Sequence, residues 1–185
     1  MLYTRKGDSG TTKTLHCDQR LSKSSVVAEA LGAVDELNSL LGFVKARNTS
    51  PALVLVQGRG LKLMLNHVQQ NLFIIQAELA GAAGKTISAD KVKKMEEAID
   101  KIEKELPPIK SFFIPGATEN GALLDYARTV ARRAERRVVK AKEENLTKLS
   151  APTLAYLNRL SSLLYALARL ANHQSGITEQ APDYK

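Results

Sequence analysis

Apolar residues recur along most of this chain with the spacing of α-helices, and five such segments stand out. From about Ser24 to Ala46, Ala30, Val34, Leu37, Leu41 and Val44 advance by four, three, four and three residues. Residues so spaced share one helix face. The second segment is the most regular, with Leu61, Leu65, Val68, Leu72, Ile75 and Leu79 holding a seven-residue repeat that ends near Gly81 and Gly84. The third starts behind Ser88, a suitable N-cap, and turns Val92, Met95, Ile99, Ile102 and Leu106 inward until Pro107-Pro108 stops it. Proline ends a helix because it lacks an amide donor and its ring clashes with the preceding turn. The fourth spans about Gly121 to Glu144, with Leu123, Ala127, Val130, Ala134, Val138 and Ala141 inward. The fifth opens at Ser150-Ala151-Pro152, carries Leu157, Leu160, Leu164, Leu167 and Ala171, and should end by Gly176, a natural left-handed cap. These stripes suit helix-on-helix packing and predict an all-α fold, a five-helix bundle.

Three stretches break the pattern. Residues 1–22 are polar and punctuated by Gly7 and Gly10, so they read as a loop or short extended arm. Residues 109–120 form a connection with two adjacent aromatics, Phe112 and Phe113. Within 48–60 the run Leu53 to Val56 fits a short strand or a helix start equally well. The division expected is an arm over 1–22, a helical domain over 23–176 and a mobile tail over 177–185.

Composition supports the helical reading. Apolar residues make up 44% and aromatics 5% with no Trp, a balance that favours helix over sheet. The most apolar stretch, Leu154 to Ala171, is broken by Asn158, Arg159 and Arg169, so it reads as a core helix and no membrane association is expected. Met1 to Asp8 runs straight into polar turn residues, without the apolar run of a secretory leader. The single cysteine, Cys17, excludes an intrachain disulfide. The expectation is a soluble, cytoplasmic protein. Its net charge of +8 fits nucleic acid, an anionic surface or a phosphorylated small molecule, and charge alone does not choose among them.

Candidate chemistry lies in three places. The first is the arm, Tyr3-Thr4-Arg5-Lys6-Gly7-Asp8-Ser9-Gly10-Thr11-Thr12, where glycines let backbone amides and hydroxyls approach a phosphate chain and Arg5 and Lys6 neutralise charge. It lacks the Walker A spacing, and its composition suits a phosphate grip and a plain polar N-terminus about equally. The second is the fourth helix. Arg128, Arg132 and Arg136 line one face, and Arg133 and Arg137 a neighbouring one, with Glu135 among them. Like charges at that spacing repel unless carboxylates or phosphates lie between; Asp35 and Glu36 are candidate partners, and a polyphosphate is another. The third is the fifth helix, whose Asn158, Ser162 and Arg169 fall near one face, opposite the leucines. Asparagine there costs helix propensity without a packing gain, which suits a ligand contact or a plain surface position. His16, His67 and His173 close no Glu-x-x-His pair, arguing against a di-iron bundle, and no nucleophile turn is visible. No metal site is expected.

Together these residues resemble the PduO-type family of ATP:cob(I)alamin adenosyltransferases. The arm is similar to the family's Y-T-K-x-G-D-x-G opening, and Gly32-Ala33-Val34-Asp35-Glu36-Leu37-Asn38-Ser39 to its G-x-V-D-E-L-N-S helix. Phe112-Phe113-Ile114-Pro115-Gly116 resembles F-x-x-P-G. Ala127-Arg128-Thr129 with Arg132-Arg133-Ala134-Glu135-Arg136 resembles A-R-T…R-R-A-E-R, and Tyr156-Leu157-Asn158-Arg159-Leu160-Ser161 resembles Y-L-N-R-L-S. Each is weak alone; five in order are specific. Four departures stand out: Arg5 for lysine, Ser24-Ser25 for an acidic pair, Ala117 for a second glycine and Ser162 for aspartate.

The resemblance implies a homotrimer with ATP, accompanied by Mg²⁺, at subunit interfaces. Thr4, Arg5, Lys6, Gly7, Asp8, Gly10, Thr12 and Lys13 would wrap the triphosphate, with Lys23 beside it. Arg132, Arg133, Ala134, Glu135, Arg136 and Asn158 would complete the ATP site. Asp35 and Arg128 would pair across the interface. Phe112 would lie against the corrin of cobalamin and keep the lower axial ligand off cobalt. The implied reaction is attack of cob(I)alamin on C5′ of ATP, giving adenosylcobalamin and triphosphate, with a reductase and an adenosylcobalamin-dependent enzyme as partners. Cobalt is then the nucleophile, so no Ser, Cys or His nucleophile is required. Two other readings remain at this point: a basic helical nucleic-acid-binding protein, against which stand few aromatics and an interrupting Glu135, and an ATP-binding regulatory bundle without turnover.

Overall fold

The computed structural model of the chain describes residues 3–14, 20–47, 54–55 and 59–184. Five helices dominate: α1 (Val26–Arg47), α2 (Leu61–Leu79), α3 (Ala89–Glu105), α4 (Glu119–Glu143) and α5 (Ala151–Gln174). Each of the five predicted segments is a helix, with ends shifted by about two residues. Two small antiparallel ribbons accompany them. β1 (Thr11–Lys13) pairs with β2 (Arg20–Ser22), Thr12 opposite Leu21. β3 (Val54–Leu55) pairs with β4 (Arg59–Gly60), so the part of 48–60 that is described is strand rather than helix start. Among the described residues no helix is long and apolar enough to cross a membrane.

The helices pack in the order α2, α1, α4, α5, α3. α1 and α4 run antiparallel, since Glu36 meets Arg133 and Glu29 meets Arg137. α1 and α2 do likewise: Lys45 donates to Asn66 at 3.3 Å, while Asp35, earlier on α1, accepts from Gln76, later on α2, at 3.4 Å. The predicted inward residues of α1, α2 and α5 are all buried. On α4 the pattern is off by one residue at its start. Leu124 is fully buried and Leu123 only partly, because Leu124 continues the face of Ala127, Ala131 and Ala134 that packs inward; Thr118 caps the helix by accepting the Gly121 N–H at 3.0 Å. α5 is the centre: from Leu163 to Asn172 it is buried almost all round. A helix covered on every side belongs to the core rather than the surface.

Two polar devices hold the upper end of α5. Ser150 is its N-cap and accepts the Thr153 N–H at 3.4 Å, with proline in the first turn. The buried Glu78, at the far end of α2, accepts the Ser150 N–H at 2.7 Å and also the Thr153 hydroxyl. A carboxylate at a helix N-terminus meets the positive end of the helix dipole and satisfies amides with no partner inside the helix. Lower down, Tyr156 is buried, and Asn71 donates to its hydroxyl at 3.0 Å while accepting from Lys91 at 2.7 Å. α2 and α3 flank an open groove of about 730 Å³ whose floor includes Tyr156 and Leu163.

After α5 the start of the tail makes contacts back to the helix. Gly176 adopts φ +70°, the left-handed turn the sequence predicts, and the chain then folds back so that Glu179 pairs with Arg169 at 2.8 Å.

Candidate functional site

The arm is a folded unit rather than a loose strand. Consecutive turns bring the Asp8 N–H to the Arg5 carbonyl at 3.3 Å and the Gly10 N–H to the Gly7 carbonyl at 3.2 Å. Arg5 (φ 60°) and Gly10 (φ 78°) both sit in the left-handed region, which costs an arginine about 1–2 kcal/mol and a glycine little. The Lys23 N–H then bonds the Gly10 carbonyl at 2.9 Å. Lys23 also lies across Gly7: a Cβ at Gly7 would come within 3.3 Å of both the Lys23 Nζ and the Thr11 carbonyl. The structure therefore places Lys23 against the turn. Thr4, Arg5, Lys6, Asp8, Gly10 and Lys13 are exposed along this unit, and Thr12 is half-buried.

One residue that organises the arm was not singled out from the sequence. Arg20, on β2, donates from Nε to the Thr11 hydroxyl at 2.8 Å and from Nη2 to the Thr11 carbonyl at 2.9 Å. Nη2 also bonds the Lys6 carbonyl. The planar guanidinium thus ties the turn to the ribbon. No periodicity marks such a residue in a polar segment, so the sequence carried no signal for it.

On α4 the structure separates residues that the sequence groups. Ala134 is fully buried and packs the core, so it presents no side chain to a ligand. Arg133 and Arg137 pair with Glu36 at 2.6 Å and Glu29 at 3.2 Å on α1. Of the two candidate partners, Glu36 pairs with an α4 arginine within the chain and Asp35 does not. Arg132 and Arg136 are exposed, with no carboxylate partner among the described residues. Glu135 faces α5 instead, where Asn158 donates to it at 2.9 Å, and Arg159 donates to the Asn158 Oδ1 at 2.6 Å. Arg159 continues to Glu96 of α3 at 2.9 Å. Glu135 and Asn158 are therefore brought together, beside two open guanidinium groups.

Asp35 and Arg128 do not meet within one chain. Asp35 is exposed at the α1–α2 edge, where Gln76 donates to it at 3.4 Å. Arg128 sits at the opposite edge of α4, bonded to Asp125 at 3.0 Å and lying 5.9 Å from the Tyr165 ring centroid. Asp125 was missed, although a carboxylate three residues before an arginine is a readable helical pair. Asn158 and Ser162 are exposed on α5 as expected, but Arg169 is not part of that open face. Its side chain is buried under the docked tail, an arrangement no spacing along α5 could reveal.

Phe112 is 79% exposed, the side chain standing out from the loop between α3 and α4. An aromatic ring so exposed, with the neighbouring Phe113 packed 5.0 Å from the Arg169 guanidinium, is placed to meet something outside the chain. The arrangement offers cations and backbone turns for a polyphosphate, two open guanidinium groups, and a separate apolar ring.

A family model described as cobalamin adenosyltransferase matches residues 2–171. The chain belongs to this family. It is 39% identical over 180 residues to the corrinoid adenosyltransferase PduO of Citrobacter freundii, covering 94% of this chain and 50% of that protein. Against the PduO of Salmonella typhimurium the identity is 38%, covering 97% of this chain and 53% of the other, so the chain spans about half the length of both. A corrinoid adenosyltransferase of Bacillus subtilis is 36% identical, with 95% of this chain and 89% of that protein covered. A variant PduO-type ATP:corrinoid adenosyltransferase from Lactobacillus reuteri, solved in complex with cobalamin and ATP, superposes with a TM-score of 0.89 at 31% identity. That match covers 100% of this chain and 97% of the other.

Proposed function

We propose that this chain transfers the 5′-deoxyadenosyl group of ATP to cob(I)alamin, giving adenosylcobalamin and triphosphate. The observation that carries the reading is the pair of exposed guanidinium groups, Arg132 and Arg136, left without carboxylates beside matched neighbours and next to the Glu135–Asn158 contact. Family membership over 2–171, and the cobalamin and ATP bound by the Lactobacillus reuteri relative, support it.

In this reading Co(I) attacks C5′, the Co–C bond forms, and the C5′–O bond breaks with its electrons leaving on triphosphate. The protein supplies position and charge stabilisation. Alignment of nucleophile and carbon accounts for up to about 7–11 kcal/mol of barrier in favourable cases. Arg132 and Arg136 meet the charge gathering on the leaving triphosphate, whose Mg²⁺ travels with ATP as substrate. The arm, with Thr4, Arg5, Lys6, Gly7, Asp8, Gly10, Thr12, Lys13 and Lys23, wraps the phosphates. Phe112 stands against the corrin and denies the lower axial position to a ligand, which eases reduction of Co(II).

The active form is a homotrimer with the site shared between copies. Two residues support this: Asp35 and Arg128 lie at opposite edges of one chain, so their pairing requires a second copy. The enzyme works in the cytoplasm, receives electrons from a reductase and hands its product to an adenosylcobalamin-dependent enzyme. The test is anaerobic incubation with ATP and chemically reduced cobalamin, following decay of the Co(I) spectrum. Decay that requires ATP is expected; no ATP-dependent change would sink the assignment.

A further inference from the structure

The loop that carries Phe112 is fastened at four points, and all four converge on the lower end of α5 and the tail behind it. At its start, the Pro107 carbonyl accepts from Arg169 Nη2 at 3.1 Å. In its middle, Phe113 lies 5.0 Å from the same guanidinium, and the Ile114 N–H donates to the Gln180 carbonyl at 2.8 Å. At its end, the Thr118 hydroxyl donates to Asn172 Oδ1 at 2.8 Å while capping α4. Glu179 closes the network: it accepts from Arg169 Nε at 2.8 Å and from Asn172 Nδ2 at 3.1 Å.

The Arg169 and Glu179 side chains are 6% and 13% exposed. A buried ion pair is poor evidence for stability, because desolvation offsets most of its attraction; what it enforces well is one geometry. Gly121 shows how tight that geometry is. A Cβ there would stand 2.2 Å from Asn172 Oδ1, so the α4 start approaches α5 closer than any other residue allows. Phe112 is the ring this frame leaves outside. The frame's polar groups are satisfied among themselves, and Phe112 alone of its aromatics is strongly exposed.

We propose that Arg169 and Glu179 are positioning residues that act through Phe112. They strap the tail to the loop and fix where that ring stands beside the corrin, which sets how well the enzyme holds a Co(II) corrinoid without its lower axial ligand. The inference rests on the adenosyltransferase reading and extends it to residues that touch neither substrate.

The test uses the full chain with ATP and Co(II) cobalamin, and reads by electron paramagnetic resonance the share of cobalt lacking an axial nitrogen. Glu179→Ala is expected to lower that share and to reduce turnover with a mild electron donor about ten- to a hundredfold, the scale of a roughly 1 Å misplacement. Glu179→Gln, which keeps an acceptor for Arg169, should recover part of both. A corrinoid with no lower-ligand side chain, whose lower position holds only weakly bound water, should lose much less of its rate than cobalamin does in the same variant. Arg169→Lys keeps the buried charge but loses the fork to Pro107 and the stack on Phe113, and should give the same signature should Glu179→Ala fail to fold. A wild-type share of ligand-free cobalt in folded variants, or an equal loss with the truncated corrinoid, overturns the proposal. Absence of ATP-dependent product from the wild type would instead overturn the reading it rests on.

Discussion

Arg133 lies against α1 with Glu36 at 2.6 Å, and one helical turn on Arg137 repeats the arrangement with Glu29 at 3.2 Å. Arg132 and Arg136, each one residue earlier, are exposed and meet no carboxylate among the described residues. Four arginines within six positions thus divide into charges the fold settles within the chain and charges it leaves open. An open charge stabilises nothing in the isolated chain, and it repels its neighbours at i, i+4. Its retention needs a reason outside the chain, whereas a settled charge is explained once its partner is named. The same division separates Glu78, buried and fully bonded, from the arm cation Lys6, exposed above a turn.

The division breaks if an open charge proves structural or a settled one proves catalytic. The largest expected effect is at Arg132. Arg132→Ala should lower kcat/KM for ATP by about 10²–10³, the scale of removing one donor to a developing charge, with an unchanged thermal midpoint. A coincident drop in melting temperature would place Arg132 among the structural charges. Next comes Glu78. Glu78→Ala leaves the Ser150 amide and Thr153 hydroxyl without their acceptor, and should cost about 2–4 kcal/mol in urea unfolding while the folded enzyme keeps its KM.

Tyr156 gives a sharper test of an uncharged settled group. Burial pushes its hydroxyl up to about 12, against a smaller opposing effect of the Asn71 hydrogen bond. The unfolded chain releases this proton near pH 10 and the folded chain holds it longer, so above pH 10 the unfolded state binds fewer protons. Stability present below pH 10 should therefore fall between pH 10 and 12, by on the order of 2 kcal/mol. Tyr156→Phe should flatten that part of the profile, measured by denaturant unfolding across pH. The smallest effect belongs to Arg133. Its pair with Glu36 is half exposed, so Arg133→Ala should cost less than about 1 kcal/mol. Activity should stay within a few fold of wild type, in contrast to its neighbour.

The helices were legible because burial imposes a period, and a seven-residue repeat such as Leu61 to Leu79 has few other readings. Caps were legible where one residue type does the work, as at Ser150 and Gly176. The site was legible only as an inventory. Arg128 to Arg137 announce a charged helix, yet the choice between Arg132 and Arg133 depends on the direction in which α1 lies, a fact of the tertiary structure. Arg20 and Glu179 were invisible for a different reason. Each acts across a turn or a fold-back on groups that no local period connects, the Lys6 carbonyl in one case and Arg169 in the other. The fold-back hid Arg169 as well, because helical spacing alone places it with the open face of Asn158 and Ser162.

The groove between α2 and α3 has a bearing on how the molecule opens. α3 stands at the end of the row and buries chiefly Val92, Met95 and Ile102, leaning on α5 and reaching α2 through the Lys91–Asn71 bond. α5, by contrast, is enclosed almost all round from Leu163 to Asn172. Regions with few buried apolar contacts open at a fraction of the global unfolding free energy. α3 buries fewer residues than the other four helices, so its amides should exchange with solvent before those of α5, and the loop at its far end is the one that carries Phe112. The Pro107 carbonyl, held by Arg169, stands between the two, so fraying of this outlying helix should stop short of that ring.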